Sequence, residues 1–484
     1  MKGKHLFLQK MSLILLMGAF IFGSCTDIGV YKDTLYSSDV KNANLTSPNE
    51  DEIQFTPSPD GSTVSVTWPV VHGAGGYEFS LFINDDPDNP VAVGEENQVI
   101  DGCVAQRPLR DDTKYKVVVR ALGNQLYNNK EAEVASNKEF TTLVPTYATI
   151  PSGTNISEWF DANPLPEDMS DEELAYVLEP NGNYTMTSIV NFGKQQVTFR
   201  GDKVRRPKVT MTDNARISTT AGLKVKFIDF DCSTIAGSSS TAAFLLLSST
   251  PDDAIKGTGD HFIIRDPIVI QSCDITGLQR HLIYDNNKKY CTVTVLIDDC
   301  IVKLETTEEQ PIIRYQAGFA NDLTVRNSTF WHTGSKNNNY FIQYNNSGRP
   351  DRAGLVTASV NYLNSTFYHV CYNKQWGNYN SFAGRSSVYW NMKDNIFVDC
   401  GKGEVARRFL GGRANQPTAT FANNSYWYDG AFASGESSWD NGRIIETDPQ
   451  LKDPANGDFT VLGSQQLEDR TGDPRWLPEI EITE

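Results

Sequence analysis

Hydrophobic and polar positions alternate along most of this chain in short runs, and one run keeps returning. The copies read VKFIDFDCS (225–233), IVIQSCDI (268–275), TVTVLIDDCIV (292–302), LTVRNSTFW (323–331), SVNYLNSTFYH (359–369), VYWNMKDNIFVD (388–399) and TFANNSYWY (420–428). Each is β-branched and aromatic with an Asp, Asn or Ser followed by a small Cys, Ser or Asn. With Asp231, Ser272, Asp299, Asn327, Asn364, Asp394 and Asn423 as the shared polar position, the steps run from 27 to 41 residues. Such spacing marks a solenoid. No copy carries the 3.6-residue stripe of a helical repeat, and leucine-rich signatures are absent, which leaves a parallel β-helix.

A second set of apolar runs lies between the first: AAFLLLSS (242–249), HLIYDNN (281–287), PIIRYQ (311–316), YFIQYNN (340–346), ARRFLGG (406–412) and GRIIETD (442–448). Two or more strands per coil, with Asn, Gly and Ser at the corners, let a chain wind around a dry interior. The shared Asp/Asn position then reads as a corner, structural in role. Cys232, Cys273 and Cys300 follow it directly and read as a ladder of small buried side chains. Seven cysteines follow Cys25, an odd number with no zinc-type spacing. A disulfide framework and a metal centre are not expected.

Upstream the rhythm changes. Residues 51–143 form short alternating strands, with Val64, Val66 and Trp68 on one face and Tyr77, Phe79 and Phe82 on another, the pattern of a β-sandwich. Residues 156–178 are the one long stretch of helical character, with Ser170-Asp171-Glu172-Glu173 as a helix start. A helix covering the open first coil is expected there, with winding from residue 184.

Lys2, Lys4 and Lys10 precede an apolar run from Met11 to Phe22, then Gly23-Ser24-Cys25. The run is too short to span a bilayer and reads as an export signal. Across 484 residues, 43 Lys+Arg against 60 Asp+Glu leave a formal charge of −17 with no basic run read anywhere, so nucleic acid is not an expected partner.

Three resemblances follow from these residues. The segment ending at Cys25 resembles a bacterial lipobox, with Phe22 where Leu is usual, which implies lipidation of Cys25. Trp68, Tyr77, the stretch Leu109 to Ala121 with Tyr115 as a tyrosine corner, and KEFTT (138–142) resemble a fibronectin type III module. ETDPQLKDPANGDFTVL (446–462) with GDPRW (472–476) resembles the closing segment of right-handed β-helix proteins from the Bacteroidetes. Together they look like surface lipoproteins of unknown function that join such a module to a pectate-lyase-like β-helix. The implied fold class is all-β: signal peptide 1–24, tether 25–50, fibronectin-like domain 51–143, then a right-handed parallel β-helix over 150–484. Within it a cap occupies 155–180, coils about 184–445 and a C-terminal cap 446–484.

Chemistry is sought on the outer walls. If Ile283, Ile313 and Ile342 point inward, Tyr284, Arg314 and Gln343 share one outward register, continued by Arg407 or Arg408. That column offers a stacking ring, a carboxylate fork and hydroxyl bonding to a polysaccharide. A lyase acting on a uronate polymer would need carboxylates on adjacent coils, drawn from Asp229, Asp231, Asp274, Asp285, Asp298 and Asp299, with calcium as cofactor. Its base would come from Arg280, Lys288, Lys289, Arg314 or Arg326. The pectate-lyase and polygalacturonase constellations are missing, and His281 is the most suggestive of six histidines. The expectation is therefore a lipid-anchored outer-membrane protein at the cell surface that binds a pectin-like glycan beside glycan-import partners. Enzyme activity is left open, leaning against; the alternative is β-elimination.

Overall fold

The computed structural model describes residues 39–167, 172–236, 242–344, 349–413 and 418–479. The expected leader and Cys25 lie outside them. Two compact units divide after Leu143.

In the first unit, strands Gln54–Pro57, Thr63–Thr67 and Val104–Pro108 form one antiparallel sheet. Tyr77–Ile83, Lys114–Ala121 and Ser136–Thr141 form the centre of another. Alternation builds the core between them: Val64, Val66, Trp68, Tyr77, Phe79, Leu81, Tyr115, Val117 and Val119 are buried. Leu81, not Phe82, completes the row, because a period of two from Tyr77 and Phe79 reaches 81. The Tyr115 hydroxyl accepts from the Arg110 backbone N–H at 2.6 Å.

The second unit is a parallel β-helix of three walls, two of 11 strands and one of seven among the described residues. Successive coils pair in register. On the first wall Leu174, Val197, Leu223, Ile268, Val295, Leu323, Val360 and Trp390 stack one above another and point inward. Each such aliphatic side chain, fully buried, contributes about 1.5–3 kcal/mol.

The corner between first and second walls explains the repeat. Phe227, Ser272, Asp299, Asn327, Asn364, Asp394 and Asn423 all adopt left-handed backbone, with φ between 46° and 59°. Asn and Asp visit that region most readily among side-chain-bearing residues. The next residue supplies a donor for the carbonyl two positions back. Cys273 Sγ meets Gln271 O at 3.3 Å, Cys300 Sγ meets Asp298 O at 3.2 Å, Ser328 Oγ meets Arg326 O at 2.6 Å, Ser365 Oγ meets Leu363 O at 2.8 Å and Asn395 Nδ2 meets Lys393 O at 2.9 Å. The column is therefore structural, and its cysteines act as weak donors as well as small apolar groups. The first copy is displaced by four residues: Phe227 holds the corner, while Asp231 and Cys232 lie within strand Asp229–Ile235.

Other expectations are corrected. The helix over 156–178 reduces to Ile156–Ala162, whose Trp159 and Phe160 pack on Tyr176. Ser170 and Asp171 lie outside the described residues. Leu174–Leu178 is a strand, because Leu174, Tyr176 and Leu178 alternate inward. The first wall begins earlier, at Thr146–Ile150. ARRFLGG forms the helix Val405–Phe409 in place of a strand, since the Glu436 carboxylate accepts from the Val405 and Ala406 N–H groups at its start. Ile444–Ile445 joins the second wall, not the third.

The C-terminal segment runs back along the outside of the second wall. Thr471 Oγ1 donates to Asn423 O, the Gly472 N–H to Asp394 O and the Asp473 N–H to Thr366 Oγ1. Asp473 then accepts from Thr329 Oγ1, and Arg475 reaches Asp299. Five coils are clipped in turn.

Candidate functional site

The third-wall column exists as a register: Tyr284 pairs with Arg314 and Arg314 with Gln343, while Ile283, Ile313 and Ile342 stack inward. Two of its side chains, Tyr284 and Arg314, are engaged with one another. Tyr284 is 6% exposed, lies 5.3 Å beneath the Arg314 guanidinium and donates its hydroxyl to Gln316 at 2.8 Å. Arg314 itself donates to Gln310 at 3.0 Å. Arg407 and Arg408 do not extend the column, since both sit on the short helix; Arg407 pairs with Glu404 at 2.6 Å and lies over Trp439.

His281 is fully buried and its Nδ1 lies 2.6 Å from the Pro311 carbonyl. Burial pushes its pKa down to about 3, so the ring stays neutral and exchanges no proton near neutrality. Asp285 is likewise interior. Its carboxylate accepts from the Ala317, Gly318 and Asn287 N–H groups, which ties adjacent coils, and burial holds its pKa up at about 6. Asp298 lies on the first wall with Arg326 at 2.8 Å. Asp299 holds a corner, and Arg280 pairs with Glu308 at 3.1 Å.

Three of the sequence-derived carboxylates do come together. On the second wall Lys208, Asp229 and Asp274 stand in one outward column of consecutive coils. Thr210, Asp231 and Thr276 form the column two residues along. These side chains line an open groove of about 400 Å³ with Asn183 at its first coil. Neighbouring rungs are about 4.8 Å apart. Arg206 reaches across two of them, its Nη1 3.4 Å from Asp229 and 3.2 Å from Asp274. Partial burial raises the Asp274 pKa, against the pull of Arg206. Asp231 is exposed and accepts from the Ser233 N–H and hydroxyl through one oxygen. Among the described residues no group of three His, Cys, Asp or Glu side chains is placed to hold a metal ion.

Arg206 and Lys208 escape a reading by strand pattern because Arg206 precedes Pro207 outside any strand and Lys208 is the first residue of the strand that follows it. The expectation of no basic run is corrected here, since Lys203, Arg205, Arg206 and Lys208 make a short one in an acidic chain, and that run is the signal.

Further along, the same wall turns apolar. The column of Lys208, Asp229 and Asp274 continues as Ile301, Thr329, Thr366 and Ile396. There the C-terminal segment covers it, with Val461 and Leu477 packed on Ile396 and Val398. Phe459 meets Trp331 at 5.6 Å, and Trp476 donates to Thr329 at 2.8 Å. Within the second unit, among the described residues, the C-terminal segment does not line the groove.

Parallel pairing from coil to coil on all three walls places the second unit among parallel β-helices, and the groove makes it one with a polar channel on a single wall. Family models of domains of unknown function match the chain in tandem: DUF4992 over residues 1–181, DUF4957 over 182–333 and DUF5123 over 323–476. The junction at 181/182 falls inside the β-helix and not at the division after Leu143. The chain is similar to the crystal structure of pectate lyase PelI from Erwinia chrysanthemi, at 11% identity over 59% of this chain and 86% of that one, with a TM-score of 0.18. The complex of that lyase with tetragalacturonic acid matches at 10% identity, 59% and 85% coverage and a TM-score of 0.16. No curated protein matches the chain.

Proposed function

We propose that this chain is a glycan-binding protein displayed on the outer membrane through a lipid on Cys25, with the N-terminal sandwich, of fibronectin type III kind, as a spacer. The observation that carries the reading is the second-wall groove. Charged groups and hydroxyls repeat there in two columns on consecutive coils, at about the length of one sugar unit per rung. Hydrogen-bonding carboxylates, amines and hydroxyls in a shallow, open channel suit a ligand made of hydroxyl groups. Three aspartates against Arg206 and Lys208 leave the channel mildly acidic, so a neutral glycan is favoured over the uronate polymer that the sequence alone pointed to.

Affinity electrophoresis of the purified chain through xylan, glucomannan and polygalacturonate tests this. Retardation by at least one glycan, lost in a Lys208→Ala/Asp231→Ala double variant, is the expected result. Free migration through all three would remove the function. If incubation with polygalacturonate, with or without calcium, released unsaturated uronate absorbing in the ultraviolet, the eliminative reading would replace the binding one.

A further inference from the structure

The groove is blocked at one end, and that has a bearing on what part of a glycan it can take. We propose that it is a chain-end site, which holds about three terminal sugar units and excludes internal stretches of a polymer; this rests on the glycan-binding reading above.

The uncovered wall comprises strands Asn183–Met186, Lys208–Asp213, Asp229–Ile235 and Asp274–Leu278. Three rung spacings make about 14 Å, and a pyranose unit spans about 5 Å, so about three units fill it lengthwise. At the next coil Arg475 stands at the corner where the first column would continue: its Nη2 lies 3.0 Å from the Asp299 carbonyl and 2.5 Å from the Asp299 carboxylate, and its Nη1 lies 3.4 Å from Asp473. Its charge is felt at Asp274, the last rung of the groove. Behind it Trp476 is fastened to Thr329, and Thr329, Thr366 and Ile396 are fully buried. A polymer lying along the two columns meets this block after Asp274. It has no lateral way round without leaving the columns whose spacing recommends them, so only a free terminus can be seated.

The alternative is a polymer that crosses the groove along the strands, touching one rung and both flanking loops. That arrangement would use one residue of each column and leave the coil-to-coil repetition of Lys208, Asp229 and Asp274 without a role.

Calorimetry on the full chain with xylo-, manno- and galacturono-oligosaccharides of two to eight units, and with the parent polymers, tests the inference. For the glycan that binds, affinity per molecule should rise to three or four units and then stay level, the polymer binding no more than about twofold tighter per chain end. In an Arg475→Ala/Trp476→Ala variant the plateau should move to longer oligosaccharides; should that variant unfold, Arg475→Gln serves the same purpose. Affinity in the native chain that climbs tenfold or more between four and eight units would overturn the chain-end site while leaving glycan binding intact. No heat with any oligosaccharide or polymer would overturn glycan binding itself, and the chain-end site with it.

Discussion

The Thr329 hydroxyl donates to the Asp473 carboxylate at 2.7 Å, joining residues 144 positions apart. Asp473 is 1% exposed and also receives the Arg475 N–H, so a single side chain fastens the C-terminal segment to the middle of the stack. Asp473→Ala should lower stability by about 1–3 kcal/mol, the cost of stranding buried donors. Urea unfolding checks the magnitude. Hydrogen exchange should show the loss concentrated in strands Thr329–His332 and Thr366–Tyr368. Equal loosening of the first wall would contradict the assignment.

Asn395 is the hub of the inner corner ladder. It accepts from the Ser365 N–H at 3.1 Å and its amide faces Tyr362 O, Lys393 O and Asn424 Oδ1 at 2.8, 2.9 and 3.0 Å. Asn395→Ala should cost about 3 kcal/mol, since several fully buried partners lose their bonds together. Asn395→Ser, the residue used at 328 and 365, should recover about half of it in the same denaturation experiment.

In the groove, Lys208 and Asp231 are exposed, so replacing either by Ala should move the unfolding free energy by less than about 0.5 kcal/mol. Glycan retention should nonetheless fall about fivefold for each. Arg206→Ala differs, because it leaves Asp229 and the half-buried Asp274 facing each other without the cation. The Asp274 carboxyl should then titrate higher still, which carbon-detected NMR of that side chain would read.

Stability should depend on pH through Glu436. Its side chain is fully buried, and that burial holds its pKa up at about 8, above the ordinary 4.5. A carboxyl raised on folding keeps its proton in the native state and sheds it when unfolded. Its contribution is full below pH about 4.5 and is lost as pH rises through about 8. Asp285 and Asp473, both raised by burial to about 6, act in the same direction. Thermal midpoints should therefore fall between pH 5 and pH 8, and Glu436→Gln should flatten the slope. A midpoint that rises over that range would refute the ionisation scheme.

How far the sequence foretold this arrangement differs from place to place. The solenoid was legible because the left-handed corner selects Asn and Asp and the following donor selects Cys, Ser or Asn. Those chemical demands repeat every coil. The first copy misled for the same reason: Asp231-Cys232 imitates the corner pair, while the true corner, Phe227-Ile228, has no polar residue to advertise it. A slip of four residues there hid the alignment of Asp229 with Asp274, and so the groove. ARRFLGG looks like a strand by apolar content, and its helix depends on Glu436, a partner about 30 residues away. Tyr284, Arg314 and Gln343 share one register as expected, but the stacking of Arg314 on Tyr284 and their bonds to Gln310 and Gln316 are not disclosed by the alternation of a single strand.

The covering of the second wall by residues 451–477 also sets a schedule. A polypeptide delivered amino end first completes the rungs bearing Trp331, Tyr368, Ile396 and Trp427 before their cover exists. Until residues 451–477 are made, these side chains form a greasy strip in need of protection, and a polypeptide interrupted before residue 451 would be adhesive to its own kind.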